Sequence, residues 1–138
     1  MRDDLALIDT DVASILYRSR YFDRHVPPEL ATTLASRRLA ITLVSLGEAH
    51  YGVRKRKWAI ERSARLLAFY GGSFDVIRPN HDTAPEYGYL RAATEAVGRP
   101  IAGNDLWIAA FASANGLPLV TLNRRHFEPL TIFGLRLL

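Results

Sequence analysis

Three carboxylates stand where strand-like runs give way to helix-like ones. Asp9 ends the apolar run Leu5-Ala-Leu-Ile8, and Glu48 follows Leu39-Ala-Ile-Thr-Leu-Val44. Asp105 opens Leu106-Trp-Ile-Ala-Ala-Phe111, just ahead of Leu117-Pro-Leu-Val-Thr121. In an open α/β sheet, ligands bind beyond the carboxyl ends of the strands, where the strand order reverses. If the first and fourth strands are neighbours there, Asp9 faces the loop after Thr121, and Glu48 and Asp105 enter the same space from the first turns of their helices. Two carboxylates about 4 Å apart repel by roughly 4 kcal/mol at an effective dielectric near 20. Such a cluster raises a pKa or recruits a hard cation, and oxygen-only ligation favours Mg2+ or Mn2+ over Zn2+. The chemistry indicated is a divalent-cation site facing a phosphate-like ligand.

Each acid also has a structural reading. Ser45-Leu-Gly-Glu48 has the spacing of a capping box, with Ser45 capping a helix and Glu48 reaching back to its backbone N–H. Asn104-Asp105 is good chemistry for a helix N-terminus, and Asp9-Thr-Asp11 can be a polar turn into a helix. Singly, any of the three is explained by capping. Together, at three junctions of one domain, they ask for a common site.

The elements that would position them alternate. Residues 5–9 read as a buried strand, followed by a helix from Val12 to about residue 21 and another from Pro27-Pro28 to about residue 36. Residues 39–44 form the second strand. Ser45 heads a long helical region to about residue 70, closed by Gly71-Gly72. Residues 74–77 are a third strand, 82–97 a helix stopped at Gly98, and 104–115 a helix stopped at Gly116. Residues 117–121 are a fourth strand and 131–137 a fifth, on the edge. Strands alternating with helices predict βαβ crossovers and a central, mostly parallel sheet of four to five strands, covered on both faces in a three-layer α/β/α domain. The helix around residues 106–114 is apolar on nearly every side and is expected in the core.

The 138 residues fit one domain spanning the chain, large enough to bury a core without staples. With no cysteine there is no disulfide framework, zinc-thiolate site or cysteine nucleophile. No apolar run reaches membrane-spanning length, and the start of the chain lacks the apolar region of a signal peptide, so a cytoplasmic protein is expected. A net charge of +4 and a pI near 9.8 favour acidic partners. The excess is concentrated in residues 54–65, where Arg54, Lys55, Arg56, Lys57, Arg62 and Arg65 face only Glu61. A solvated helix face with a Lys57–Glu61 pair at i, i+4 explains this run as simply as an RNA track does.

Four blocks resemble, in order, the PIN-domain ribonucleases, and more closely the VapC-type toxins of bacterial toxin–antitoxin systems. They are Leu7-Ile-Asp-Thr-Asp-Val12, Thr42-Leu-Val-Ser-Leu-Gly-Glu48, Gly98-Arg-Pro-Ile-Ala-Gly-Asn-Asp-Leu-Trp-Ile-Ala-Ala110 and Val120-Thr-Leu-Asn-Arg-Arg-His-Phe127. Tyr87-Gly-Tyr-Leu-Arg91 precedes the third block. The resemblance implies metal-dependent endonucleolytic hydrolysis of RNA, leaving 5′-phosphate and 3′-hydroxyl ends. Asp9 and Asp105 would hold Mg2+ or Mn2+, and Glu48 would bind directly or through water. The fourth acidic position of the family falls on Asn123, which would orient water or substrate, and that departure weakens a second metal site. Thr10 and Thr121 would hydrogen-bond neighbouring carboxylates. Asp11, where the family often has Asn, would add an outer contact or, more simply, cap the first helix. Arg124 and Arg125 would grip the RNA backbone ahead of the Arg54–Lys57 run. Trp58 and Tyr51 are expected to pack rather than stack on a base, and His126 to pack or cap within its loop. A cognate antitoxin whose tail lies in a groove and a homodimer are also implied. Ile15, Leu16, Tyr17, Tyr21 and Phe22, on or just after the first helix, are candidates to line such a groove, with Ile15 and Leu16 expected rather to fill the core. Two alternatives remain: an inert PIN-like module that binds RNA or protein, and, since Asp9-Thr-Asp11 has the Asp-x-Asp form, a haloacid dehalogenase-type phosphatase. The second lacks the downstream lysine and the late paired acids that those enzymes use.

Overall fold

The computed structural model describes residues 4–138. Its centre is β1 (Leu5–Ile8), buried at every position. An unbroken apolar run suits a parallel strand covered on both faces, because side chains alternate between two cores. Leu5 and Leu7 enter one cluster, and Ala6 and Ile8 enter the other. The same alternation splits Ala40 from Ile41 and Leu119 from Val120.

β1 pairs with β2 (Arg38–Thr42) on one side and with β4 (Leu119–Val120) on the other, while β3 (Asp75–Ile77) pairs with the far edge of β2. The order is β3-β2-β1-β4 and every pairing is parallel. Helices α1 (Thr10–Phe22), α2 (Pro28–Leu34), α3 (Leu43–Lys55) and α4 (Ile60–Ser73) contribute to the core on one face. Helices α5 (Thr83–Ala96), α6 (Gly103–Ala114) and α7 (Arg124–Phe127) contribute to the core on the other. The expected three layers are present, and α6 is the core helix its apolar sequence indicates, with Leu106 and the whole run from Ile108 to Ala112 buried.

Three expectations need correction. The helix expected over residues 45–70 is two helices, parted at residues 56–59, where Lys57 adopts a left-handed backbone (φ 54°). No Lys57–Glu61 helix pair therefore forms. The edge strand expected over residues 131–137 is a 3-10 helix, Glu128–Phe133, ended by Gly134 at φ 111°. Among the described residues a single parallel bridge, Leu119 to Leu137, continues the sheet there. Pro129 suits the first turn of this helix, where an N–H would have no partner, and Leu130 and Leu135 are buried by the turn it starts. Finally, β2 stops at Thr42 and α3 begins at Leu43, so Ser45 lies inside the helix rather than at its cap.

Candidate active site

The strand order reverses between β1 and β4, because the chain passes from β1 to β2 on one side and returns to β4 on the other. Ile8 pairs with Val120, and the Asp9 N–H donates to the Val120 carbonyl at 3.3 Å. Asp9 and Thr121 thus leave adjacent strands side by side, and the Thr121 hydroxyl donates to Asp9 Oδ2 at 2.5 Å. The other oxygen, Oδ1, accepts from the Val12 N–H at 2.9 Å, so Asp9 is the N-cap of α1. Both side chains are closed off from solvent, Asp9 at 4% exposure and Thr121 at 5%. Burial raises the Asp9 pKa above its ordinary 3.8. The hydrogen bonds from Thr121 and Val12 oppose that rise, and the charges of Asp11 and Asp105 add to it.

Glu48 is held from the same corner. Thr42 caps α3, its Oγ1 accepting from the Ser45 N–H at 3.1 Å. This displaces the predicted capping box and leaves Glu48 free to turn toward α1. There the Thr10 hydroxyl donates to Glu48 Oε1 at 2.7 Å. Thr10 Oγ1 also lies 3.0 Å from Ser45 Oγ. A hydroxyl has one proton, so Ser45 donates to Thr10 and Thr10 to Glu48. Asp11 does not cap the helix, since Asp9 does; it stands exposed in the first turn, where its charge reaches Asp9.

Asp105 occupies the first turn of α6, whose N-cap is Ala102 and makes no side-chain cap bond. Neither Asn104 nor Asp105 is therefore a capping residue. His126, on α7, brings Nε2 to 2.9 Å from Asp105 Oδ2, at ion-pair distance but off the line of a hydrogen bond. The sequence points His126 to packing or capping within its loop instead. Its position three residues after Asn123, in the block that carries Thr121, was the available signal. Asn123 is exposed and its backbone N–H donates to Thr121 Oγ1 at 3.0 Å. Arg125 is exposed on the first turn of α7. Arg124 is turned elsewhere, its guanidinium donating to the Leu138 carbonyl.

Toward a hard cation the three carboxylates offer oxygen donors, with the His126 imidazole set against Asp105, and the charge of Asp9 is opposed by its acidic neighbours. The carboxylate chemistry suits such an ion. Among the described residues, however, no three acidic or histidine side chains are gathered so that they could hold one together.

A groove of about 1190 Å3 opens beside this corner, with Thr10, Asp11, Glu48 and Asn104 in its wall. Of the candidate groove residues, Tyr17 and Phe22 line it. Ile15 and Leu16 pack, half-buried, against the core, as expected for them, and Tyr21 rests against the rings of Tyr17 and Phe69.

A parallel sheet with carboxylates along the carboxyl edge, at the reversal of its strand order, defines an α/β domain with an acidic site. The PIN-domain family model matches residues 6–129, and the chain belongs to that family. It is 33% identical over 99 residues to the tRNA(fMet)-specific endonuclease VapC of Shigella flexneri, covering 72% of this chain and 73% of that one. In three dimensions it resembles VapBC-1 from nontypeable Haemophilus influenzae, with a TM-score of 0.78, 25% identity and coverage of 97% of this chain and 96% of that one. It also resembles VapBC-5 from Mycobacterium tuberculosis, a member of the VapBC family of toxin-antitoxin systems (TM-score 0.67, 27% identity, 92% and 90% covered). Membership of the PIN family removes the basis for the phosphatase alternative.

Proposed function

We propose that the chain is the toxin of a toxin–antitoxin pair, a Mg2+- or Mn2+-dependent endoribonuclease that hydrolyses RNA phosphodiester bonds at the Asp9 corner. The observation that carries it is the setting of Asp9. A carboxylate is buried at the sheet's switch point, oriented through both oxygens, and opposed by neighbouring acids. Structure alone gains little from that arrangement, since capping α1 needs only one oxygen. A site that binds a cation needs the rest. The Shigella relative's name supports RNA as the substrate, and the Mycobacterium structure supports an antitoxin as the partner.

Asp9, Asp105 and Glu48 would hold the cation. When bound, a hard divalent cation supplies Lewis-acid stabilisation of phosphoryl oxygens and a water acidic enough to ionise near neutral pH. The chain's own side chains set the geometry. Thr121 fixes Oδ2 of Asp9, Thr10 fixes Oε1 of Glu48, and His126 stands against Oδ2 of Asp105. Asn123, exposed beside Thr121, offers an amide to water or substrate, and Arg125 offers a phosphate contact.

RNA cleavage by wild type and Asp9→Asn, each with Mg2+, Mn2+ or EDTA, tests this. Wild type is expected to cut only with metal. Loss of an outer partner of a metal ligand typically costs 10–100-fold, so loss of the carboxylate itself should cost more than about a hundredfold. Equal cutting by both proteins would place the site elsewhere. No cutting under any condition would leave an inert PIN module that binds RNA or protein.

A further inference from the structure

We infer that the groove beside the acidic corner is a track for single-stranded RNA, gripped by Arg56 and Arg62 and stacked upon at Tyr51. This rests on the ribonuclease reading and extends it from the reacting atoms to the strand that feeds them.

The first ground is charge. Arg18, Arg24, Lys55, Arg56 and Arg62 line the groove, against two acids, Asp11 and Glu48, which belong to the acidic corner. All five cations are exposed, and none pairs with an acid among the described residues. Unpaired cations gathered on one concave surface repel one another, and a polyanion removes that repulsion. The break between α3 and α4 brings Arg56 and Arg62 together beside Trp58.

The second ground is flat surface. The Arg62 guanidinium lies 3.7 Å above the Trp58 ring, and that of Arg56 lies 5.5 Å from it. Guanidinium planes held this way accept bases as aromatic rings do. Gly52, also in the groove, makes room for Arg56, since a Cβ there would stand 2.9 Å from Nη1. Tyr51 keeps 64% of its surface exposed, with the Lys55 ammonium 5.8 Å from its ring. Cation beside ring, repeated along a groove, is the arrangement that takes up unpaired nucleotides without reading their sequence.

A duplex presents its bases stacked inward and is not expected to use the rings, so the occupant is a single strand.

The experiment is fluorescence anisotropy in EDTA, with cleavage-silenced Asp9→Asn as the parent and a labelled single-stranded RNA of mixed sequence. Arg56→Gln with Arg62→Gln is expected to weaken binding roughly tenfold or more and to make the dependence of log K on log salt shallower by about 1.4. Tyr51→Ala is expected to cost about tenfold, with Tyr51→Phe restoring the parent's affinity. Arg99→Gln, away from the groove, should bind as the parent does, and a blunt duplex should bind more weakly throughout. Circular dichroism melts identify any variant that does not fold. Folded groove variants that bind RNA like the parent overturn the inference, as does equal weakening by Arg99→Gln. The first outcome leaves the groove to a protein partner. Groove-dependent binding without any wild-type cleavage would uphold the track and reject the nuclease.

Discussion

Asp9 carries opposite demands at the scale of a single residue. Burial raises its pKa, so the folded chain keeps a proton at pH values where the unfolded chain has lost it. The native state then binds more protons, and stability falls as pH rises from the ordinary 3.8 to the raised value. Above that window the penalty is constant. Asp9→Asn keeps an oxygen for the Val12 N–H and removes the charge. In EDTA it should therefore melt higher than wild type at pH 7.5, and the gain should shrink as pH falls through the window. Urea titrations of both proteins at several pH values check this. A mutant less stable than wild type at pH 7.5, or a difference independent of pH, would show that burial does not dominate. Thr121 acts on the same carboxylate from the other side. Thr121→Val keeps the shape and removes the hydroxyl on Oδ2, so cleavage should drop by roughly 10–100-fold, while the fold survives. Unchanged cleavage would mean that Thr121 does not orient Asp9.

Helix boundaries decided which of these contacts formed. α3 ends in a Schellman motif, with the Trp58 N–H donating to the Val53 carbonyl at 3.3 Å and the Lys57 N–H to that of Arg54 at 3.1 Å. Val53 is buried in the core beneath it and Trp58 packs against that core. Its left-handed position is usually Gly, and here it is Lys57. With neither Gly nor Pro at residues 56–59, the stop carried no composition signal and the helical pattern ran on. Lys57→Gly should relieve the backbone and stabilise the protein by about 0.5–1 kcal/mol. A lower urea midpoint in this variant would show that the Lys57 side chain outweighs the strain. Elsewhere the elements were legible for a physical reason. Apolar runs bounded by polar junctions mark parallel strands, so Asp9, Glu48 and Asp105 could be placed at the ends of elements from pattern alone. Which side chain capped which helix was not legible. Thr42 and Ser45 are equally good caps, and the choice depended on where β2 finished pairing with β3. His126 was missed for a related reason, since only the three-dimensional course of α7 sets it against Asp105.

Taken as a whole molecule, the site exists only when the chain is folded. Asp9 and Thr121 are 112 residues apart in sequence, and Glu48 is tied to Thr10 across 38. The unfolded chain has no equivalent arrangement, so any ion held there binds the native state and must raise its stability. At ten times the dissociation constant the gain is about 1.4 kcal/mol, which for a chain of this size should lift Tm by roughly 3–6 °C. Calorimetry of wild type with millimolar Mg2+, against NaCl at matched ionic strength, should show that rise. Asp9→Asn should begin higher in EDTA and gain little from Mg2+, so that metal narrows the gap between the two proteins. The two effects share one cause: the mutation and the cation each relieve the same buried charge. A wild type that cleaves RNA with Mg2+ but whose Tm does not respond to it would separate them. The cation would then arrive with the RNA phosphates rather than reside on the folded chain, and Asp9, Glu48 and Asp105 would be completing a site that the substrate brings.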